Sequence, residues 1–308
     1  MDRELWIVVY SAIKRAARRV GCAGRTPTYP NWLIVAMYVW GNWHDRPLSW
    51  CCDRAHYGSL LRPRRLPSVS QFTRRIKSAE CDAILQSVHN QLSQRGLVTD
   101  LGYIDGKPLL VSPVSKDRDA RSGRISGGFG KGYKLHAFVN DRRRIVVWSV
   151  QTLNIAEQTV AAELLDHLPP LSPDALVMMD SNYDSAPLHK RAEHKGIALF
   201  NALKGQDRVG AEGHHPVTLK QMGASRRELV ETWKQRPQLT RWMIKRRDEI
   251  ESVLGVLVCT AGGLTCLPPW VRTKPRVRRW VGTKIILYNA RLLVQETVQK
   301  EAPSLAAA

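Results

Sequence analysis

Three acidic residues stand where their surroundings suit chemistry: Asp105, Asp180 and Glu251. Asp105 interrupts Tyr103-Ile104-Asp105-Gly106-Lys107-Pro108-Leu109, a run that otherwise reads as a strand fit for a pleated, buried surface. A carboxylate there is costly to bury unless something compensates it. Taken alone, it reads as a strand-end Asp accepting backbone hydrogen bonds. Two more acids downstream open a second reading, a metal ligand held on a rigid element. Asp180 ends the wholly apolar run Ala175-Leu176-Val177-Met178-Met179, which reads as a central parallel strand. The carboxyl end of such a strand is where open α/β sheets place their ligands, although an Asp there also caps the turn that follows. Glu251 lies on a late helix and shares its side with Ile244, Leu254 and Val258, at the edge of the buried face. Glu249 shares its side with Lys245, Arg246 and Ser252, a solvated setting, so Glu251 is the glutamate expected to reach the sheet. Three carboxylates converging from separate elements can hold a pair of Mg²⁺ ions, which prefer oxygen ligands. Two such ions ~4 Å apart stabilise both the attacking and the leaving oxygen of a phosphodiester substitution.

The composition points to the same substrate class. The formal net charge is +20 over 308 residues, which predicts a polyanionic partner, most simply nucleic acid. A basic surface face and an acidic membrane are the competing readings. Apolar content of 44% and charged content of 24% are those of a soluble globular protein, and the length suits about two domains. No stretch approaches the ~20 uninterrupted apolar residues of a membrane span. Met1-Asp2-Arg3-Glu4 carries acids and no cleavable signal pattern, so the expected place is the cytoplasm, associated with DNA or RNA. Cys22, Cys51, Cys52, Cys81, Cys259 and Cys266 include no C-x-x-C pair and have no His at finger spacing. They read as reduced, mostly packed thiols.

The elements that must position the acids follow from periodicity. Residues 1–97 read as helical: a stripe through Leu5, Ile7, Val8, Ala12, Ile13 and Ala16 ending at Gly21 and Gly24, then a core helix from Trp32 to Trp43. A third helix is expected from about Leu48. A fourth starts at Ser68 or Ser70 as N-cap and runs to about Arg95. The start Gln71-Phe72-Thr73-Arg74-Arg75 suits a recognition helix entering the major groove, and equally an amphipathic helix with a solvated basic face. Residues 101–150 read as a three-stranded antiparallel meander interrupted by a polar stretch, Ser115 to Gly132. Its run Gly127-Gly128-Phe129-Gly130-Lys131-Gly132 is not a P-loop, because Gly follows the lysine; it reads as a flexible basic loop near a DNA backbone or an ordinary solvated loop. A helix at 156–168, the strand before Asp180, a helix at 184–195 and a strand at 197–203 complete a mixed α/β sheet flanked by helices and preceded by an all-α N-terminal domain. Residues 204–240 are polar and poorly periodic; His214-His215 within them read as solvated rather than metal-binding. Helical periodicity returns from Trp242, with Met243, Ile250, Val253, Leu254 and Leu257 on one face. The basic tract from Arg272, with Trp270 and Trp280 interleaved, suits nucleic-acid binding or a core, and Val277 to Gln299 reads as a last helix before a frayed end at 302–308.

The motifs around the acids carry a resemblance. Ile104-Asp105-Gly106-Lys107-Pro108, Gly132-Tyr133-Lys134-Leu135-His136, Asp180-Ser181-Asn182-Tyr183-Asp184-Ser185 and Arg247-Asp248-Glu249-Ile250-Glu251 resemble, in order, the first-Asp motif, the second strand, the second-Asp motif and the Glu motif of the DDE transposases of bacterial insertion sequences. The likeness runs from about residue 98 to 295. It departs in the third motif, where Ile244 and Val258 stand at positions commonly Tyr and Lys. The resemblance implies an RNase H-like catalytic domain at 98–262, a helical DNA-binding and dimerisation domain at 1–97, and a basic C-terminal segment at 263–308 that packs on the catalytic domain and binds DNA. It implies a transposase that binds terminal inverted repeats, cleaves DNA at the element ends and transfers the 3′-OH strand into target DNA. Asp105, Asp180 and Glu251 would be catalytic and would hold Mg²⁺, with Mn²⁺ as substitute. Arg74, Arg75, Lys131, Lys134, Arg247, Arg276, Arg278 and Arg279 would contact double-stranded DNA, and joining two ends implies a homodimer or larger assembly. The alternatives are an RNase H-like metal-dependent nuclease without strand transfer and a catalytically silent, transposase-derived DNA-binding protein.

Overall fold

A computed structural model describes residues 2–21, 28–93, 99–173, 175–201, 224–260, 262–264 and 266–301. The chain divides into two compact units, residues 1–95 with 256–308, and residues 96–255. Cys22, Gly24, the His214-His215 pair and the 302–308 end lie outside the described residues.

The first unit is helical. Helix α1 (Arg3–Val20) begins where the Glu4 amide donates to Asp2 Oδ1 at 3.3 Å and stops at Gly21, whose φ of 72° suits a residue without a Cβ. Its buried residues, Leu5, Trp6, Val9, Ala12, Ile13 and Ala16, repeat at three and four and form one face. Helix α2 (Asn31–Trp43) is buried from Leu33 to Asn42, as its unbroken apolar run requires. The helix expected from Leu48 is two short 3₁₀ turns, Trp50–Cys52 and Arg54–His56. Side chains there claim the carbonyls a helix would use: Tyr57 donates to the Cys51 carbonyl at 2.6 Å, and His56 Nδ1 meets the Trp50 carbonyl at 2.8 Å. The fourth helix is split into α3 (Val69–Arg75) and α4 (Ala79–Ser93). Ser68 and Gln71 form a capping box at the start of α3, and Ser78 Oγ accepts from the Cys81 amide at 3.4 Å, which restarts the chain as α4.

The second unit is built on a sheet. Strand β1 (Leu101–Leu110) pairs antiparallel with β3 (Gly128–Asn140), which pairs on with β4 (Ile145–Thr152). On its other side β1 runs parallel to β5 (Leu176–Met179), and β5 to β6 (Ala198–Asn201). This is the RNase H-like mixed sheet. Helices α5 (Glu157–Asp166) and α6 (Ala186–Glu193) cover it through Ala161, Leu164, Leu165, Leu188 and Ala192, which pack with Ile104, Phe138, Val177 and Met179. Each leucine, isoleucine, valine, phenylalanine or methionine among them contributes about 1.5–3 kcal/mol of burial.

Two elements here differ from expectation. Residues 115–132 contain a strand, β2 (Arg121–Ile125), which forms a hairpin with the start of β3, so the glycine run is sheet rather than loop. Residues 204–240, read as without periodicity, hold α7 (Ala224–Gln235), anchored by Arg226, whose Nε and Nη2 donate to the two oxygens of the buried Asp184 at 2.9 and 2.8 Å. Helix α8 (Pro237–Cys259) buries Ile250, Val253, Leu254 and Leu257, the face the spacing predicts.

Helix α9 (Lys274–Glu301) returns to the helical unit. Expected on the catalytic domain, it packs instead against α1, α2 and α4. Every residue from Trp280 to Ala290 is buried, so it forms the axis of that unit rather than a peripheral helix. Trp280 is core, while Trp270 stays 40% exposed. The described cysteines are unbridged, and no helix among the described residues is long and apolar enough to cross a membrane.

Candidate active site

Strand register brings two of the acids together. β1 and β5 run parallel with Ile104 opposite Met179, so the next residue on each strand is an aspartate. Neighbouring strands lie about 4.8 Å apart, which puts Asp105 and Asp180 side by side. Alternation does the rest. Ile104 and Met179 point into the core under α5 and α6, so the aspartates point to the opposite face.

The two carboxylates have different surroundings. The Gly106 amide donates to Asp105 Oδ1 at 2.7 Å, one half of the strand-end reading. Burial nevertheless pushes the Asp105 carboxyl up to about 6, and the charge of Asp180 works in the same direction. The Gly106 amide, Arg247 and Lys134 pull it back in part. Asp180 accepts from Ser181 Oγ at 3.1 Å and Asn182 Nδ2 at 3.0 Å, and makes no capping bond to the turn that follows. The capping reading of Asp180 is therefore not realised.

Helix α8 supplies the third acid through an arginine. Arg247 Nη2 donates to Glu251 Oε1 at 3.2 Å, one turn along the helix, and Arg247 Nη1 lies 3.6 Å from Asp180 Oδ1. Arg247 is 19% exposed and Glu251 is 60% exposed, so Glu251 sits at the open rim rather than against the buried face. The side chain of Glu249 lies outside the described residues.

A layer that sequence reasoning did not assemble lies around the aspartates. Lys134, opposite Pro108 on the β1–β3 ladder, pairs with Glu157 at the start of α5. Gly106 leaves room for it: a Cβ there would collide with the Lys134 side chain. The buried Tyr183 hydroxyl lies 3.1 Å from His136 Nδ1. Burial holds Tyr183 well above its ordinary range and His136 down to about 3, so both are neutral. Tyr183, Lys134 and His136 were visible as motif members; their partnerships needed the fold.

Hard carboxylate oxygens are the donor type that divalent cations such as Mg²⁺ take, and a half-buried Asp105 beside a like charge is a pair that a cation would relieve. The residues fit such an ion. Among the described residues no three His, Cys, Asp or Glu side chains already form a metal cluster; the Arg247 guanidinium bridges Asp180 and Glu251 instead.

The basic residues assigned to DNA fall into two groups. Arg75 bonds Asn31, Arg279 bonds Asp82 at 3.0 and 3.3 Å, and Lys131 donates to the Ser115 carbonyl at 2.7 Å. Arg74, Arg276 and Arg278 are exposed. In the helical unit Arg46, Lys77 and Arg276 line a cavity of about 200 Å³ walled by Trp270 and Leu48.

The family described as "Transposase DDE domain" matches residues 96–290. The fold is similar to that of a piggyBac transposase, seen by cryo-electron microscopy in a synaptic complex with hairpin DNA. The TM-score is 0.50 at 10% identity, over 96% of this chain and 75% of that one. No curated protein matches. The family match begins just before β1, takes in all three acids and ends within α9, and with that span this chain belongs to the DDE transposases.

Proposed function

We propose that the chain is a DNA transposase that cuts at the ends of its element and joins the freed strand to target DNA, with Asp105, Asp180 and Glu251 as its catalytic carboxylates. The observation that carries this reading is the register that sets Asp105 beside Asp180, with Arg247 linking Asp180 to Glu251. Asp105 and Asp180 would hold divalent cations, Mg²⁺ or Mn²⁺, with Glu251 completing the set. When bound, the ions supply charge stabilisation at the attacking and leaving oxygens.

The chain's own residues do the remaining work. The sheet fixes both aspartates on rigid strands, and partial burial keeps bulk water from screening them. Tyr183 and His136, buried and neutral, pack beneath the second motif. Arg247 is placed to exchange its carboxylate contacts for a phosphate. In the first step water attacks the phosphodiester at the element end and leaves a 3′-hydroxyl. In the second, that hydroxyl attacks a target phosphodiester and its former partner strand leaves. The exposed Arg74, Arg276 and Arg278 and the cavity lined by Arg46 and Lys77 give the helical unit a surface for the phosphates of the terminal repeats. Joining two ends calls for at least a homodimer on DNA.

A plasmid carrying this gene with its native flanking DNA, incubated with the protein and Mg²⁺, tests the reading. Cuts at a pair of inverted repeats with joined products are expected. Cuts without joining leave a nuclease, and tight binding to the flanks without cuts leaves a silent DNA-binding protein.

A further inference from the structure

The glycine run that is neither P-loop nor loop has a structure with its own logic. In the β2–β3 hairpin, Arg124 stands opposite Phe129 and Ser122 opposite Lys131, while Gly123, Ile125, Gly128 and Gly130 alternate with them. The two faces therefore differ. On one, glycines leave a bare backbone that Ile125 and Leu110 cover; a Cβ on Gly130 would strike both. On the other stand Arg124, Phe129 and Lys131. The turn between the strands is Ser126-Gly127, with Gly127 at φ 83°. Phe129 is 82% exposed. An aromatic ring directly across from an arginine near the tip of a tight hairpin has no packing role in the sheet.

The charge around it selects the partner. Arg118, Arg121 and Arg124 are exposed on or beside the hairpin. The acids nearby are committed: Asp117 accepts from the Tyr133 hydroxyl at 2.9 Å, and Asp119 lies 3.8 Å from Arg118. An apolar ring directly across from the exposed Arg124, on a hairpin rich in arginine, fits a stacked, polyanionic partner rather than an apolar protein surface.

We propose that this hairpin is a DNA wedge: Phe129 enters the duplex at a step it unstacks, while Arg124 on the same face holds a flanking phosphate. The proposal rests on the DNA-transposase reading and adds a contact outside the carboxylate site.

The test uses the full chain carrying Asp105→Asn, so that DNA is bound without being cut, and native flanking duplexes with 2-aminopurine placed at successive positions. Binding is expected to raise the fluorescence at one or two adjacent positions. Phe129→Ala is expected to abolish that rise and weaken binding about 10-fold, within the range for one lost base stack. Phe129→Trp is expected to retain the rise. Arg124→Ala is expected to lower affinity and reduce the salt slope by about 1 without removing the rise. Position 129 is solvent-exposed, so the fold survives these changes. Tight binding with no rise anywhere, or a rise that Phe129→Ala leaves intact, overturns the wedge and spares the transposase reading. A Phe129→Ala protein with unchanged DNA behaviour but an altered oligomeric state by light scattering also overturns it, in favour of a contact between copies. Failure of the Asp105→Asn protein to bind the flanks at any salt removes both.

Discussion

Each unit shields a charge from water, and burial shifts both toward the neutral form, but the two differ in the partners they are given. In the helical unit the Lys284 side chain is fully buried, and its ammonium donates to the Asn42 carbonyl at 2.6 Å and to Asp45 Oδ1 at 2.7 Å. The Trp280 ring lies 5.1 Å away, and α2 ends beside it, so its dipole also favours a cation there. In the sheet unit Asp105 has the Gly106 amide at close range, a like charge beside it, and Arg247 and Lys134 acting through space. A buried charge with its partners built in is structural. A half-buried charge left short of partners is a candidate for completion by a ligand.

Four measurements on three substitutions test that contrast. The largest effect is expected for Asp105→Asn, which should lower strand cleavage about 10³-fold or more while leaving DNA affinity within about twofold, measured on labelled element ends. Retained cleavage would count against the assignment. Next is Lys284→Met, which strips Asp45 and the Asn42 carbonyl of their donor. It should destabilise the protein by about 2–3 kcal/mol in urea, the low end for a broken buried pair because Asp45 is 30% exposed. A neutral result would mean that Lys284 is no better satisfied than Asp105.

The same Asp105→Asn change should act oppositely on stability. With EDTA present, the wild-type carboxyl titrates near 6 when folded and near 4 when unfolded. Its folded value is raised, so the ionised form costs stability above pH 6, and wild type regains that stability as pH falls from 6 to 4. Asp105→Asn should therefore be more stable at pH 7.5 by about 1–2 kcal/mol, with the gap closing below pH 5. A gap that does not change with pH would argue that Asp105 is already compensated. The smallest effect is expected for Arg247→Gln, which frees oxygens of Asp180 and Glu251 from a competing cation. Calorimetry should show Mn²⁺ binding tightened about 5-fold; weakened binding would mean that Arg247 assembles the acids rather than competes for them.

Much of this was legible in the chain. The long elements, α1, α2 and α8, announce themselves because one face or the whole surface is apolar, and β5 because a run of five apolar residues ends at Asp180. That Asp105 and Asp180 converge was implied by strand order and by the resemblance of their motifs, while their adjacency on neighbouring strands came from the register. What stayed hidden depends on contacts remote in sequence. β2 carries no apolar alternation, because glycine takes the positions where branched residues usually stand. The break between α3 and α4 rests on the single cap at Ser78. The partners of α9 could not be read from its sequence, since a helix buried on every side from Trp280 to Ala290 has no face there to indicate which neighbours it meets. The bridge from Arg247 to Glu251 follows from a spacing of four, but its reach to Asp180 and the tie between Lys134 and Glu157 belong to the fold alone.

At the centre of the proposed function, Asp105 and Asp180 together hold divalent cations. Fe²⁺ can replace Mg²⁺ at such a site and, with ascorbate and peroxide, cut the polypeptide beside its ligands, so mapping the fragments reads the site directly. Cuts clustered around residues 103–107 and 178–182, suppressed by excess Mg²⁺ and absent from Asp105→Asn, are the result the account expects. Intact backbone at both places, or cuts at one that leave the other untouched, would contradict it.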